Sequence, residues 1–393
     1  MKVTFVANFM NHHQLPFCNE MQKLTDGEFT FVAFEPLAHE CKQLGYEDMN
    51  ALPFVIRAYE NEKEYNRALE KILNDDMVIF GTCPDEVVAK REKTGKPFVI
   101  YSERFFKKGT YRRFIPITYK KIYNRLLRYE KSNASVICSS AYLPYDIKLL
   151  GKKFKTYKWG YFPEAKRYDD VEQLIQLKHP ASILWVARFI QLKHPEAIIS
   201  TAKRLKEDGY NFKLTMIGRG KLEDKMHNLV SRYGLEDNVI FTGSMSPDEV
   251  RKHMEKSSVF AFTSDQNEGW GAVINEAMNS GCAVVASHAV GSVPFLVRHG
   301  ENGLVYRSGD NKDLYQKIKY CFDHPEECHR MGREAYKTMT AMWCPENATE
   351  RLYRIFEAKV NNAPEPVYND GPVSIAEVIK PKYKGEKYDK IKG

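Results

Sequence analysis

Several chemistries are excluded by what this 393-residue chain lacks. Its eight cysteines, Cys18, Cys41, Cys83, Cys138, Cys282, Cys321, Cys328 and Cys344, are scattered and never form a C-x-x-C pair. Neither a zinc knuckle nor a thioredoxin-like redox couple is therefore written into the chain. They read as reduced thiols, with Cys138 and Cys282 as small core residues in apolar runs. No apolar run approaches the roughly 18 residues needed to cross a bilayer. The apolar start, Met1 to Ala7, is short and is followed by Asn8, Asn11, His12 and His13. That pattern predicts a first β-strand, not a secretion signal, and with it a cytoplasmic location. A dinucleotide fingerprint is missing as well. No glycine follows the first strand, and Gly218-Arg219-Gly220 lacks the third glycine, which argues against a Rossmann dehydrogenase. There is no internal repeat of 20–50 residues.

What is present is a net charge of +8 and an apolar fraction of 43%. The apolar content suffices for two cores, and the length suggests two domains. The charge suits anionic partners: nucleotides, nucleic acid or an anionic membrane surface. No nucleic-acid-binding module is recognisable. Strand-like and helix-like segments alternate, the pattern of an α/β fold with parallel sheets. In the first half, strands are expected at 2–7, 29–34, 77–80, 98–101 and 135–138, with helices at 60–73 and 118–129. The pattern breaks between Trp159 and Pro180, which predicts a linker. A second alternation follows, with strands at 182–187, 212–217, 238–241, 258–263 and 282–286. Helices are expected at 195–207, 222–233, 311–321, 325–342 and 346–359. The tail from Asn361 to Gly393, rich in proline and lysine, is expected to pack poorly on its own.

The most informative stretch runs from Thr263 to Gly281. A strand ends at Thr263, Gly269 and Gly271 allow a tight turn, and a helix opens there with its first N–H groups free for an anion such as a pyrophosphate. Glu268 and Glu276 flank the turn. Carboxylates repel phosphates, so they would accept hydrogen bonds from sugar hydroxyls instead. The two glutamates are separated by seven residues in the context E-G-W-G-A-V-I-N-E-A-M-N-S-G. This resembles the E-x7-E region of glycosyltransferase family 4, retaining enzymes of GT-B fold.

Other segments agree with that resemblance. Arg188 and Lys193, in the run from Val186 to Pro195, fall where the family carries its G-R-x4-K-G loop. Two cations there can neutralise a diphosphate leaving group, and since a helix N-terminus disfavours cations, a bound anion is the better account of them. Gly218 lies in a segment similar to the family's V-G-x-G turn, and Gly243 ends one similar to its V-x-F-x-G strand. The run from His299 to Val305 resembles its H/D-G-x-N-G-L-L hairpin, a structural feature. Two segments depart from the pattern. Gly291-Ser292-Val293-Pro294-Phe295 stands where G-G-x-P-E is common, and the loop after the first strand, Asn8 to Pro16, lacks the usual glycine pair.

The resemblance implies two Rossmann-like domains facing each other across a cleft. Residues 1–165 would form the acceptor-side domain and 180–343 the sugar-nucleotide domain. A helix at 344–360 would cross back to the first domain, ahead of the polar tail 361–393. It further implies a UDP- or GDP-type sugar nucleotide as donor, no cofactor, and a glycan or lipid-linked glycan as acceptor. Arg188, Lys193 and the N–H groups of Gly269, Trp270, Gly271, Ala272 and Val273 would stabilise the departing diphosphate. Glu276 would hold the ribose and Glu268 the transferred sugar. On the acceptor side His12, His13, Glu103 and Arg104 are the candidates. The chain has no D-x-D, the metal motif of glycosyltransferases of the other main fold, so no metal site is expected. A sugar-nucleotide epimerase of similar shape, needing no acceptor, and a basic nucleic-acid-binding protein are the alternatives.

One further segment stands out. From Arg104 to Lys131 ten lysines and arginines are opposed only by Glu130, with aromatic and aliphatic residues such as Phe105, Phe106, Tyr111, Phe114, Tyr119 and Ile122 interleaved. Apolar residues at helical spacing between Thr118 and Tyr129 predict an amphipathic helix. Either its apolar side faces the core and the basic side is solvated, or the segment docks on an anionic membrane.

Overall fold

The computed structural model describes residues 1–38 and 47–383, so Cys41 and the end of the tail lie outside the described residues. The chain folds as two units: Met1–Glu164 with Cys344–Ile379, and Ala165–Trp343 with the described residues from Lys380 on.

Unit 1 is built on seven strands: β1 (Val3–Ala7), β2 (Phe29–Ala33), β3 (Val55–Arg57), β4 (Met77–Phe80), β5 (Phe98–Ser102), β6 (Ala134–Cys138) and β7 (Thr156–Lys158). Their order across the sheet is β3-β2-β1-β4-β5-β6-β7, and every pairing is parallel. Unit 2 holds β8 (His179–Val186), β9 (Lys213–Ile217), β10 (Val239–Gly243), β11 (Ser257–Phe262), β12 (Ala283–Ser287) and β13 (Gly303–Tyr306), in the order β10-β9-β8-β11-β12-β13, again parallel. Helices join successive strands except between β2 and β3, where the described residues hold the single 3-10 turn Met49–Ala51. Central strands such as β1, β11 and β12 are buried along their whole length, because a doubly wound sheet is covered on both faces. Both units are Rossmann-like, and the fold is GT-B.

The sequence left out β3 and β7, two short edge strands with too few residues to show a period, and β13, which it read as part of a hairpin. The break in the chain falls at Glu164, inside the segment expected to be a linker, but the rest of that segment is structured: it carries the helix Val171–Gln176 and the start of β8. Nor is the tail loose in its first half. Val373, Ser374 and Ala376 are buried, and the N–H groups of Val373 and Ala376 donate to Lys158 O (2.8 Å) and Thr156 O (2.9 Å). The edge strand β7 offers unpaired backbone groups, and the tail satisfies them. Before it, the helix Pro345–Val360 packs on Leu15–Leu24 of unit 1. Among the described residues no helix is long and apolar enough to cross a membrane.

Candidate active site

In each sheet the strand order reverses once, between β1 and β4 in unit 1 and between β8 and β11 in unit 2. Connections leave those two strands toward opposite faces, which opens a crevice at their C-terminal ends. In unit 2 the loops at that point are 187–194 after β8 and 263–272 after β11. They are the segments that carry Arg188, Lys193 and Glu268.

The two loops are tied to each other. Trp185 Nε1 donates to Thr263 Oγ1 (2.8 Å), and Thr263 Oγ1 donates to Lys193 O (2.5 Å). Asp265 N–H donates to Leu192 O (3.0 Å). His194, in the left-handed conformation at φ 47°, places Nδ1 2.9 Å from Glu196 Oε1 and Nε2 3.2 Å from Asp265 Oδ2. Its hydrogen bond to Asp265, then that to Glu196, pushes its pKa up to about 9, so it is a cation at neutral pH. Sequence reasoning missed His194, Glu196 and Asp265. The only available signal was a histidine immediately before Pro195.

Lys193 Nζ forms an ion pair with Glu268 Oε2, and both side chains are mostly buried. A strong donor and a strong acceptor thus meet at one point: a phosphate oxygen would compete for the lysine, a sugar hydroxyl for the carboxylate. Arg188 is exposed and makes no ion pair or side-chain hydrogen bond among the described residues. The turn before the helix Val273–Asn279 requires Gly271. Its φ is +75°, and a Cβ there would sit 2.4 Å from the Phe262 ring. Trp270 is buried, donates Nε1–H to Asn275 Oδ1 (2.9 Å) and lies 5.9 Å from the Trp343 ring. It and Ala272, also buried, can therefore meet a ligand only through backbone. The helix that follows has seven residues, which gives it a weak dipole, so most of the positive field here comes from side chains. Ser292, from the segment that departs from G-G-x-P-E, donates to Trp270 O (2.6 Å) and fixes the turn. Phe295, in the place of the usual acid, stacks on Trp343 at 6.2 Å.

Glu276 makes no hydrogen bond or ion pair through its side chain among the described residues. Burial holds its carboxyl above the usual range, and the Arg251 charge only partly offsets this. A hydroxyl donor would relieve that cost. Gly218, at φ +135°, closes the β9 end against the β8 loop. A Cβ there would lie 2.0 Å from Ala187 O. Gly243 ends β10, and its carbonyl accepts from Gly218 N–H (2.8 Å). Gly218 thus has a backbone-packing reason to be there, whereas Gly243 answers to its φ of +75° and a Cβ there would first meet the Arg219 side chain. His299 accepts from Val305 N–H (2.8 Å), in line with a structural turn.

In unit 1 the acceptor-side candidates divide. His12 and His13 lie in the loop after β1, with ring centroids 3.7 Å apart, and His13 stacks on Tyr161 at 5.6 Å. Burial lowers both pKa values. For His13 burial and the neighbouring His12 bring it to about 3, so the ring is neutral. Glu103 accepts from Tyr161 OH (3.1 Å) and pairs with Lys107. Arg104 is turned inward: its guanidinium lies 3.2 Å from Asp146, with side-chain exposures of 3% and 0%. Asp146 also accepts from the N–H groups of Phe105 (2.8 Å) and Phe106 (3.0 Å), making the pair an anchor for that turn. Among the described residues no group of three or more His, Cys, Asp or Glu side chains is placed to hold a metal ion.

Comparison with known proteins bears chiefly on unit 2. Residues 169–338 match the family model described as glycosyl transferases group 1. The amylovoran biosynthesis glycosyltransferase AmsK of Erwinia amylovora is 29% identical over 143 residues, 35% of either chain. The lipopolysaccharide core biosynthesis glycosyltransferase LpsE of Rhizobium meliloti is 24% identical over 240 residues, 60% of this chain and 68% of that one. This chain thus spans about a third of the length of the curated relatives it matches first. Among solved structures, Anabaena Alr3699/HepE in complex with UDP superposes with a TM-score of 0.69 at 16% identity, covering 91% of this chain and all of that one.

Proposed function

We propose that this protein is a retaining glycosyltransferase that moves a sugar from a nucleoside-diphosphate sugar, bound by unit 2, to a glycan or lipid-linked glycan acceptor held by unit 1. The observation that carries the reading is the pairing of loops at the unit 2 reversal point. It sets an unpaired Arg188, the Lys193–Glu268 pair and the unpartnered Glu276 among the loops and helix at the strand ends. The match of residues 169–338 and the UDP complex of the Anabaena neighbour support it.

In this reading Arg188 and Lys193 bind the diphosphate. As the bond from the sugar's anomeric carbon to the diphosphate breaks, they stabilise the charge that develops on it, an electrostatic contribution of about 3 kcal/mol for a single well-placed donor. Glu268, released from Lys193 by the phosphate, accepts from a sugar hydroxyl. Glu276 accepts from the ribose. The acceptor hydroxyl forms the new bond on the same face, and its proton passes to the departing phosphate, so no protein base is required. The charge on the leaving group is met by side chains, so turnover should survive chelation by EDTA.

The reading extends to where the enzyme works. Of the helix Pro116–Arg125 only Ile122 is buried, and Tyr111, Phe114 and Ile117 are 62%, 74% and 77% exposed. Apolar side chains standing out beside Lys108, Arg113 and Lys120 suit an anionic membrane surface better than a solvated face.

The test is thermal shift with a panel of UDP- and GDP-sugars, since a specific donor stabilises the folded state by mass action. One donor should raise the melting temperature. Glu276→Ala should weaken that donor by about 1.5–3 kcal/mol, the contribution of a hydrogen bond to a charged group, without unfolding the chain. A donor that is consumed with no acceptor present would favour an epimerase, and an absence of any nucleotide response would end the proposal.

A further inference from the structure

Part of the basic segment faces inward. A cavity of about 630 Å³ lies in unit 1, bounded by Asn8 after β1 and Thr82 after β4. It therefore sits at the reversal point of the first sheet, where doubly wound sheets take their ligands. From the other side the turn Thr110–Phe114 and the helix Pro116–Arg125 contribute Arg112, Lys121 and Arg125 to its wall.

Among the described residues these three cations have no protein counter-charge. None makes an ion pair or a side-chain hydrogen bond among the described residues. Their neighbours differ: Arg104 is paired with Asp146, Lys107 with Glu103, and Glu130, the acid of the segment itself, with Lys152. Among the described residues Glu103 is the one carboxylate on the cavity wall, and Lys107 and Tyr161 already engage it. Three like charges converging on one concave, half-buried space repel one another, and burial strengthens that repulsion. An anion in the cavity reverses its sign. Two guanidinium forks and an ammonium match the oxygens of a phosphate, to which arginine can bind in pairs of parallel hydrogen bonds.

We propose that this cavity binds a phosphate or diphosphate group of the acceptor, so that the acceptor substrate is a phosphate ester and not a neutral glycan. The word acceptor rests on the glycosyl-transfer reading above; the anion site does not.

Calorimetry on the full chain saturated with UDP, titrated with inorganic pyrophosphate at low salt, tests it. Saturation occupies the phosphate site of unit 2, so one further pyrophosphate should bind. Its affinity should fall at least tenfold in Arg112→Gln and in Arg125→Gln, less in the more exposed Lys121→Gln, and should weaken with added salt. Melting temperatures of the three variants should stay near wild type. Farnesyl diphosphate in place of pyrophosphate separates the sources: a tighter fit supports a lipid-borne group, an equal one supports recognition by the phosphates alone. No second pyrophosphate, or one indifferent to all three substitutions, overturns the proposal. So does a loss of UDP affinity in the arginine variants, which would give the cavity to the donor. If UDP itself fails to bind, the donor reading is what has failed, and pyrophosphate titrated without nucleotide against the same variants still decides the cavity.

Discussion

The two units share an architecture but use their charges in opposite ways. At the unit 2 reversal point most ionic side chains are already matched: Lys193 with Glu268, and His194 with Asp265 and Glu196. Arg188 is left over. At the unit 1 reversal point Arg112, Lys121 and Arg125 all lack a partner among the described residues. Arg104, buried against Asp146, holds a turn of the fold, whereas an unmatched cation in a concave place marks the charge of something that binds. The contrast also separates residues of one type, since Arg188 was a catalytic candidate and Arg104 an acceptor-side candidate in the sequence, and the structure leaves the first exposed and buries the second.

Those two arginines give the largest expected effects. Arg104→Ala leaves Asp146 buried without its partner and should destabilise the protein by about 3–5 kcal/mol in denaturant unfolding, with donor affinity unchanged where the protein is folded. Arg188→Ala should change stability by less than about 0.5 kcal/mol, as an exposed substitution does, and lower turnover about 100-fold or more. The reverse pattern would exchange their roles.

Glycines sharpen the comparison next. Gly218→Ala puts a Cβ 2.0 Å from Ala187 O at a φ of +135° and should cost about 3 kcal/mol. Gly95→Ala in unit 1, with φ +72° and nothing within 4 Å, should cost only the left-handed conformation, about 1 kcal/mol. Equal losses would mean that the β8 and β9 loops yield freely, contrary to a site held rigid.

The exposed face of unit 1 should show a smaller effect, read by sedimentation with liposomes. Lys108→Glu, Arg113→Glu and Lys120→Glu should each lower binding to anionic vesicles by on the order of 1 kcal/mol, and Phe114→Ser with Ile117→Ser should lower it further. Equal binding to neutral and anionic vesicles, or none to either, would return this face to solvent.

The smallest concerns pH. Raised from 6.5 to about 9 by Asp265 and Glu196, His194 contributes stability that is fully present below about pH 6.5 and is lost as pH rises through about 9. Partial exposure of the ring limits the effect to a few degrees in melting temperature. Between pH 7 and 9.5 the wild type should lose more than His194→Asn, which keeps a residue tolerant of the left-handed conformation. Parallel slopes would show that the His194–Asp265 contact contributes nothing in solution.

By itself the sequence determined the α/β alternation, the long central strands, the loops of unit 2 that carry Arg188, Lys193 and Glu268, and the helix that carries Glu276. These follow from local signals: buried runs that must be strands, glycines at positive φ, and charges at fixed spacing beside a strand end. It did not show the three short strands β3, β7 and β13, nor the tail segment that covers the edge of β7, because three or four residues hold too little period to read and their pairing is set by distant chain. Nor did it show which cations are matched. Arg104 finds Asp146 across 42 positions, Lys193 finds Glu268 across 75, and Arg112, Lys121 and Arg125 find no one among the described residues. Charge is legible in a sequence one residue at a time, but its neutralisation depends on what the fold brings within about 4 Å, and only the tertiary structure decides that.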